Sequence, residues 1–255
     1  MEDELRKVVK NTGSKARFQV VLSGEGSSLS AVLNPEISAS AGCHFDIAFG
    51  SIETYYSFPN LDDTNNRILV SSKRWKGWKT FVIGKGCYSV PDINKALQLL
   101  FKQEGGENVV QFYPYYNTLR CRMVVAAGAK VDVRIDNSLR TVLGFGSRLY
   151  IASGLKEAIY RSPNVVNIMK VNSILVHCDL VGSSYLNGSR RPIIYSFFPD
   201  AEPGSKIIER PSQYIYLPVD SAVIRGVNVW LTDQSLNPID LRGEELTCKL
   251  FLREC

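Results

Sequence analysis

The sequence has only two histidines, His44 and His177, and its six cysteines, at positions 43, 87, 121, 178, 248 and 255, include no C-x-x-C pair. Scarce histidine removes the commonest general acid–base, and scattered thiols read as reduced cysteines rather than as a zinc motif or a disulfide framework. No apolar run reaches the roughly 18 residues of a membrane span. The opening residues, MEDELRKVVKNTGSK, lack the apolar stretch of a cleaved leader, so a soluble, unexported chain is expected. The net charge of +5, from 30 basic and 25 acidic residues, is spread along the chain without a block of one sign, which argues against a dedicated nucleic-acid binder.

Signatures of chemistry are missing too. Gly24-Glu25-Gly26 and Gly144-Phe145-Gly146 lack the Gly-Lys-Ser/Thr of a phosphate loop and read as turns. Neither G-x-S-x-G nor H-E-x-x-H occurs. Asp62-Asp63 falls in a loop and Glu244-Glu245 enters a strand, positions where adjacent acids are ordinarily solvated. No catalytic, cofactor-binding or metal residue is assigned, no cofactor is expected, and an enzyme is not expected.

What the chain does have is hydrophobic alternation. At 255 residues, 45% hydrophobic and 22% charged, it has the composition of an ordinary globular protein. A chain of this length buries roughly 75% of its unfolded surface without help from a metal or disulfide. Strands are expected near 17–22, 43–55, 67–71, 78–84, 108–113, 118–126 and 130–135, then at 168–180, 192–198, 206–208, 213–218, 227–232 and 245–253. In the long strand 43–55, Phe45, Ile47, Phe49 and Ile52 form the inner row. Residues 25–29 and 58–66 read as loops. One helix stands out at 91–103, with Ser89 or Pro91 at its start, Ile93, Leu97, Leu100 and Phe101 at helical spacing, and Gly105-Gly106 at its end. A helical turn at 138–143 stops at Gly144. A mainly β chain with one or two short helices, too long for a minimal immunoglobulin domain, fits a single jelly-roll β-sandwich with elaborated loops.

The 28 residues from Val227 to Glu254 read as a closing hairpin and the final strand pair of that sandwich. Val227, Val229 and Leu231 face inward on the first strand, and Leu246, Cys248, Leu250 and Leu252 on the second. Trp230 and Phe251 then fall on the outward face, where large aromatics mark either a second packed layer or a contact with another protein. Tyr55, Tyr56, Tyr115 and Tyr116 sit at strand ends. These six aromatics are the candidate subunit interface, being residue types enriched at interface centres.

Two weaker features remain. Lys73-Arg74-Trp75-Lys76-Gly77-Trp78-Lys79 combines basic and aromatic residues but reads foremost as a solvated β-turn, and residues 1–15 read as a flexible arm with a slight basic excess, so that packaged DNA is at most a weak partner through such patches. Cys43-His44 and His177-Cys178 are strand neighbours that point to opposite faces, so neither pair clamps a metal alone; a zinc site would have to join the two.

The segments CHFDIAFGSIETYYSFPNL, NNRILV and FVIGKGCYSVPDINKALQLL, followed by KVDVRIDNSLRTVLGF, NIMKVNSILVHCDLV, RRPIIYSFFP, PSQYIYLPV and NVWLTDQSLNPIDLRGEELTCKLFLRE, resemble in order and spacing the vertex (penton) capsid protein of Polinton or Maverick elements and adintoviruses. The resemblance implies a single jelly-roll minor capsid protein that forms a homopentamer at the five-fold vertices of a virion, beside a double jelly-roll major capsid protein, and that is assembled in the host cell. It implies no catalytic or cofactor residue. The organisation expected is an arm over 1–15 and a capsid domain over 16–255 with a subsidiary β part around 43–160. The alternative from a different class is a β-sandwich that recognises a glycan or cell receptor through its end loops, such as 62–79 or 182–191.

Overall fold

The computed structural model describes residues 16–255, so the arm expected over 1–15 lies outside the described residues. Two compact units divide the chain: residues up to Ser57 together with Asn172–Cys255, and Phe58–Val171.

In chain order, the first unit opens with β1 (Arg17–Glu25), β2 (Ser28–Ser38) and β3 (Phe45–Tyr55). The second unit holds β4 (Arg67–Ser71), β5 (Trp78–Val82), α1 (Val90–Gln103), β6 (Val110–Tyr115), β7 (Arg120–Val125), β8 (Lys130–Asp132), α2 (Arg140–Leu143), β9 (Leu149–Ile151) and β10 (Ala158–Arg161). The chain then returns to the first unit with β11 (Ile174–Cys178), β12 (Tyr185–Leu186), β13 (Ser189–Arg190), β14 (Ile193–Phe197), β15 (Lys206–Glu209), β16 (Leu217–Pro218), β17 (Val223–Thr232) and β18 (Glu245–Glu254). β3, expected at the start of the subsidiary part, therefore belongs to the first unit.

The first unit is a jelly roll. One sheet runs β1-β18-β3-β15, with β16 also on β3, and the other runs β14-β11-β17-β2. The pairing is nested: β1 with β18, β2 with β17, β3 with β15, and β11 with β14, all antiparallel. This is one long hairpin rolled so that successive pairs alternate between two facing sheets. The inner rows meet between the sheets, with Val227, Val229 and Leu231 buried from β17 and Leu246, Cys248, Leu250 and Leu252 from β18. Across that core the Phe49 ring of β3 stacks on Tyr195 of β14 at 4.3 Å.

That topology corrects the closing hairpin. β17 pairs with β11 and β2, whereas β18 pairs with β1 and β3. The polar segment between them crosses from one sheet to the other. It is tied by the Asp233 carboxylate, which accepts from the backbone N–H groups of Ser235 and Asn237 at 2.8 and 2.9 Å, and it buries Ile239 and Leu241. Trp230 and Phe251 consequently lie on outer faces of different sheets.

Local irregularities mark two of the strands. The inner row of β3 steps from Phe49 to Ile52 because β18 shifts register between Lys249 and Leu250, leaving Gly50 as the extra residue of a bulge. Glycine is required there, since a Cβ on Gly50 would lie 2.8 Å from Cε2 of Phe251 and 2.9 Å from the Lys249 carbonyl oxygen. The loop expected at 25–29 overlaps the start of β2 at Ser28. The pairing of β2 with β17 breaks between Ile37 and Val32, and the unpaired stretch contains Pro35, which an edge strand tolerates.

The second unit packs α1 against β6 and two small sheets, β10-β7-β6 and β5-β4-β8-β9. Helix α1 begins in a capping box in which Ser89 and Asp92 satisfy each other's backbone N–H groups, and it buries Val90, Ile93, Leu97 and Phe101. Its polar side shields the edge of β6: Asn94 accepts from the Phe112 N–H at 2.9 Å and Gln98 donates to the Val110 carbonyl at 2.7 Å. Trp75, Phe81 and Phe101 form one aromatic knot in the core. α2 stops at Gly144, whose φ of 75° suits glycine and whose Cβ would meet the Asn164 carbonyl at 2.5 Å.

Candidate functional site

On the outer face of the β1-β18-β3-β15 sheet, Phe251 sits over Gly50 and meets Tyr214 edge-on at 5.0 Å. Two residues on, the Arg253 guanidinium lies 3.9 Å above the Tyr216 ring and 2.9 Å from the Asp46 carboxylate. The 210–216 segment is thus drawn over the sheet by its tyrosines, while Ile215 between them remains 70% exposed. Tyr55, at the end of β3, is exposed. Tyr56 is not: it is buried just beyond the end of β3, and its backbone binds Ser205 and Gly204, so of the six candidate interface aromatics it is the one with almost no exposed surface to offer.

Trp230 occupies the outer face of the other sheet, where its ring lies on His177, its direct cross-strand partner. His177 is buried beneath it, with Nε2 2.8 Å from the Thr232 hydroxyl and Nδ1 without a hydrogen-bond partner. Burial, with the charge of Arg191, holds its pKa below the ordinary value, so the ring is neutral near pH 7. Trp230 and Phe251 are therefore outward as alternation indicates, yet each is half-covered by partners from its own chain.

In the second unit, Tyr115 is half-buried and Tyr116 is 76% exposed. Arg122 and Arg161 are direct cross-strand partners, and both guanidiniums approach the Tyr115 ring, at 5.7 and 5.2 Å. Arg122 also lies 4.7 Å from Tyr113. Opposed like charges cost stability in a sheet, and here the rings offset the cost by cation–π attraction.

Alternation missed a shallow apolar groove of about 440 Å³ in the first unit, lined among others by Tyr185, Leu186, Ile193, Tyr195 and Ile215. Its wall is assembled from β12, β14 and the 210–216 segment, separate pieces that no single run of alternation joins, and Tyr185 and Ile215 are each 70% exposed. No Asp, Glu, His, Lys or Arg lines it. The titratable Tyr195 is pushed up to about 12 by burial and by its hydrogen bond to Glu209, so the groove offers no acid–base pair near neutral pH.

Three of the six thiols are buried. Burial pushes the Cys121, Cys178 and Cys248 thiols up to about 12, which keeps them protonated. The basic cluster is largely committed within the second unit: Trp75 is buried and donates to the Glu104 carbonyl at 2.8 Å, Lys79 pairs with the Glu104 carboxylate, and Lys73 binds the Gly154 carbonyl at 3.0 Å. The two Cys-His pairs do not converge. Among the described residues the only mixed ligand cluster joins His44 to Asp46 and Cys255 instead.

No protein-family model and no curated protein matches the sequence. Among solved structures, the crystal structure of the selenomethionine-labelled mavirus penton protein is similar, with a TM-score of 0.51 at 10% sequence identity over 94% of this chain and 100% of that one. The chain thus has a penton-type fold, mainly antiparallel β and built on a single jelly roll.

Proposed function

We propose that this chain is a non-enzymatic capsid protein that closes into a homopentameric ring at the vertex of a virion, beside a double jelly-roll major capsid protein. The observation that carries the reading is the extent of the likeness: it takes in 94% of this chain and all of the penton protein, hence the second unit as well as the widely shared jelly roll.

A closed ring uses heterologous contacts, in which one patch of a subunit meets a different patch of the next. The outer faces of two different sheets supply such a pair of patches. On this reading the Trp230 face of one protomer meets the Tyr214–Ile215–Phe251 face of its neighbour, and the apolar groove beside Ile215 is filled in the assembly.

Mass photometry and negative-stain imaging of the purified chain test the reading. The expected result is a ring with five times the 28.5 kDa chain mass, which enters particles on co-expression with the major capsid protein of the same element. A chain that stays monomeric at high concentration and is excluded from particles overturns it.

A further inference from the structure

We propose that His44, Asp46 and Cys255 form a binding site for a zinc-class divalent cation at the corner of the β1-β18-β3-β15 sheet. The site is made by strand pairing. Cys255 donates its backbone N–H to the His44 carbonyl at 2.8 Å, and His44 returns a bond to the Cys255 carbonyl at 3.3 Å, so the two residues are directly opposed and their side chains share a face. Asp46, two residues along β3, lies on the same face. His44 Nε2 is 3.7 Å from Asp46 Oδ1, and the Cys255 thiol donates to Asp46 Oδ2 at 3.1 Å. The three donor atoms all lie within 4.8 Å of one another.

Those separations suit the ion. Ligand atoms roughly 2.0–2.3 Å from a tetrahedral zinc stand roughly 3.3–3.8 Å apart, so small side-chain rotations close the cluster. One imidazole nitrogen, one carboxylate oxygen and one thiolate make a borderline-soft donor set that selects zinc over calcium or magnesium, which need more oxygens. On binding, the Cys255 S–H proton passes to solvent and the sulfur–metal bond replaces the thiol's hydrogen bond to Asp46. Arg253, held on the Tyr216 ring, bonds to Oδ2 and leaves Oδ1 facing His44, so it orients the carboxylate as an outer partner. His44 is exposed, which gives the ion a way in and a solvent-filled fourth position.

The test uses the full chain, treated with chelator and titrated with cobalt(II), whose thiolate complexes show a near-ultraviolet charge-transfer band. One equivalent of cobalt is expected to raise the band and one of zinc to abolish it. Cys255→Ser should remove the band, and His44→Ala should weaken binding at least about tenfold, whereas Cys43→Ser and Cys87→Ser, which change the other partly exposed thiols, should leave it intact. Circular dichroism of each variant separates loss of the site from loss of the fold, and His44→Ala carries the test if Cys255→Ser does not fold. No band in the wild-type chain, a band that survives in folded Cys255→Ser, unchanged affinity in His44→Ala, or loss of the band in Cys43→Ser or Cys87→Ser overturns the proposal. Because every readout uses the isolated chain, the result is independent of whether it assembles into a ring.

Discussion

Trp230 lies flat on the imidazole of His177, the rings 5.0 Å apart and 6° from parallel. The indole therefore has work within its own sheet before any neighbour reaches it: it seals a neutral histidine whose Nδ1 has no partner. Trp230→Ala should destabilise the monomer by about 1–2 kcal/mol, from the lost stack and apolar cover, and Trp230→Phe by less. Urea unfolding measures both, and a wild-type midpoint for the alanine variant would show that the stack contributes nothing.

The same histidine gives a pH signature. Its folded pKa lies below the ordinary 6.5, so the unfolded chain takes up the proton first on acidification. The contribution is fully present above pH 6.5 and is lost as the pH falls through the folded value. Wild-type chain should lose more stability between pH 7.5 and 5.5 than His177→Gln does; parallel urea curves with equal losses would exclude His177 as the cause.

Gly50→Ala tests the bulge. The added Cβ meets both the Phe251 ring and the Lys249 backbone, and only the ring can move. A cost of about 1–3 kcal/mol is expected, as for overpacking, and Phe251→Ala in the same chain should recover part of it. A double variant less stable than either single one would refute this account.

Tyr115→Ala should leave the opposed Arg122 and Arg161 without their shared ring. Thermal unfolding at low salt is expected to show a loss of about 1 kcal/mol, partly restored by added salt as the arginine repulsion is screened. Tyr115→Phe keeps the ring face and should behave like wild type. A loss that ignores salt would point to packing alone.

Ile215→Asp places a charge on the apolar groove at a residue 70% exposed in the monomer. Monomer stability should stay within about 0.5 kcal/mol of wild type, while ring formation falls in mass photometry. A charged variant that assembles normally would remove the groove from the subunit contact.

How much of this was legible in the sequence depended on whether the signal was local. Helix α1 was readable almost to the residue, because Ser89, Pro91, the spacing of Ile93, Leu97 and Phe101, and Gly105 all act within a few positions of one another. The inner rows of β17 and β18 were readable for the same reason. Their partners were not. Alternation states which face a side chain takes but not which strand lies alongside, and Asp233 to Glu244 has the composition of a turn whether it joins neighbours or crosses between sheets. β2 was hidden by Pro35 and the break in pairing around it. Alternation placed Trp230 and Phe251 outward but carried no word of His177, or of the segment that brings Tyr214 over Phe251. The ligand cluster was illegible because strand pairing alone unites residues as distant as Asp46 and Cys255, 209 positions apart.

The nested pairing sets an order of events during synthesis. Among the described residues β1 has one sheet neighbour, β18, and Arg17 pairs with Arg253, so that pairing cannot form until a strand more than two hundred positions further along has been made. The β4–β10 unit is continuous in sequence and closes its sheets over much shorter loops, so it is expected to form before the sandwich, whose strands β1, β2 and β3 pair with strands that follow it. A truncated or stalled chain can therefore present a finished second unit but never a finished sandwich. If the vertex reading holds, a subunit would become competent to join a ring only after β18 is made.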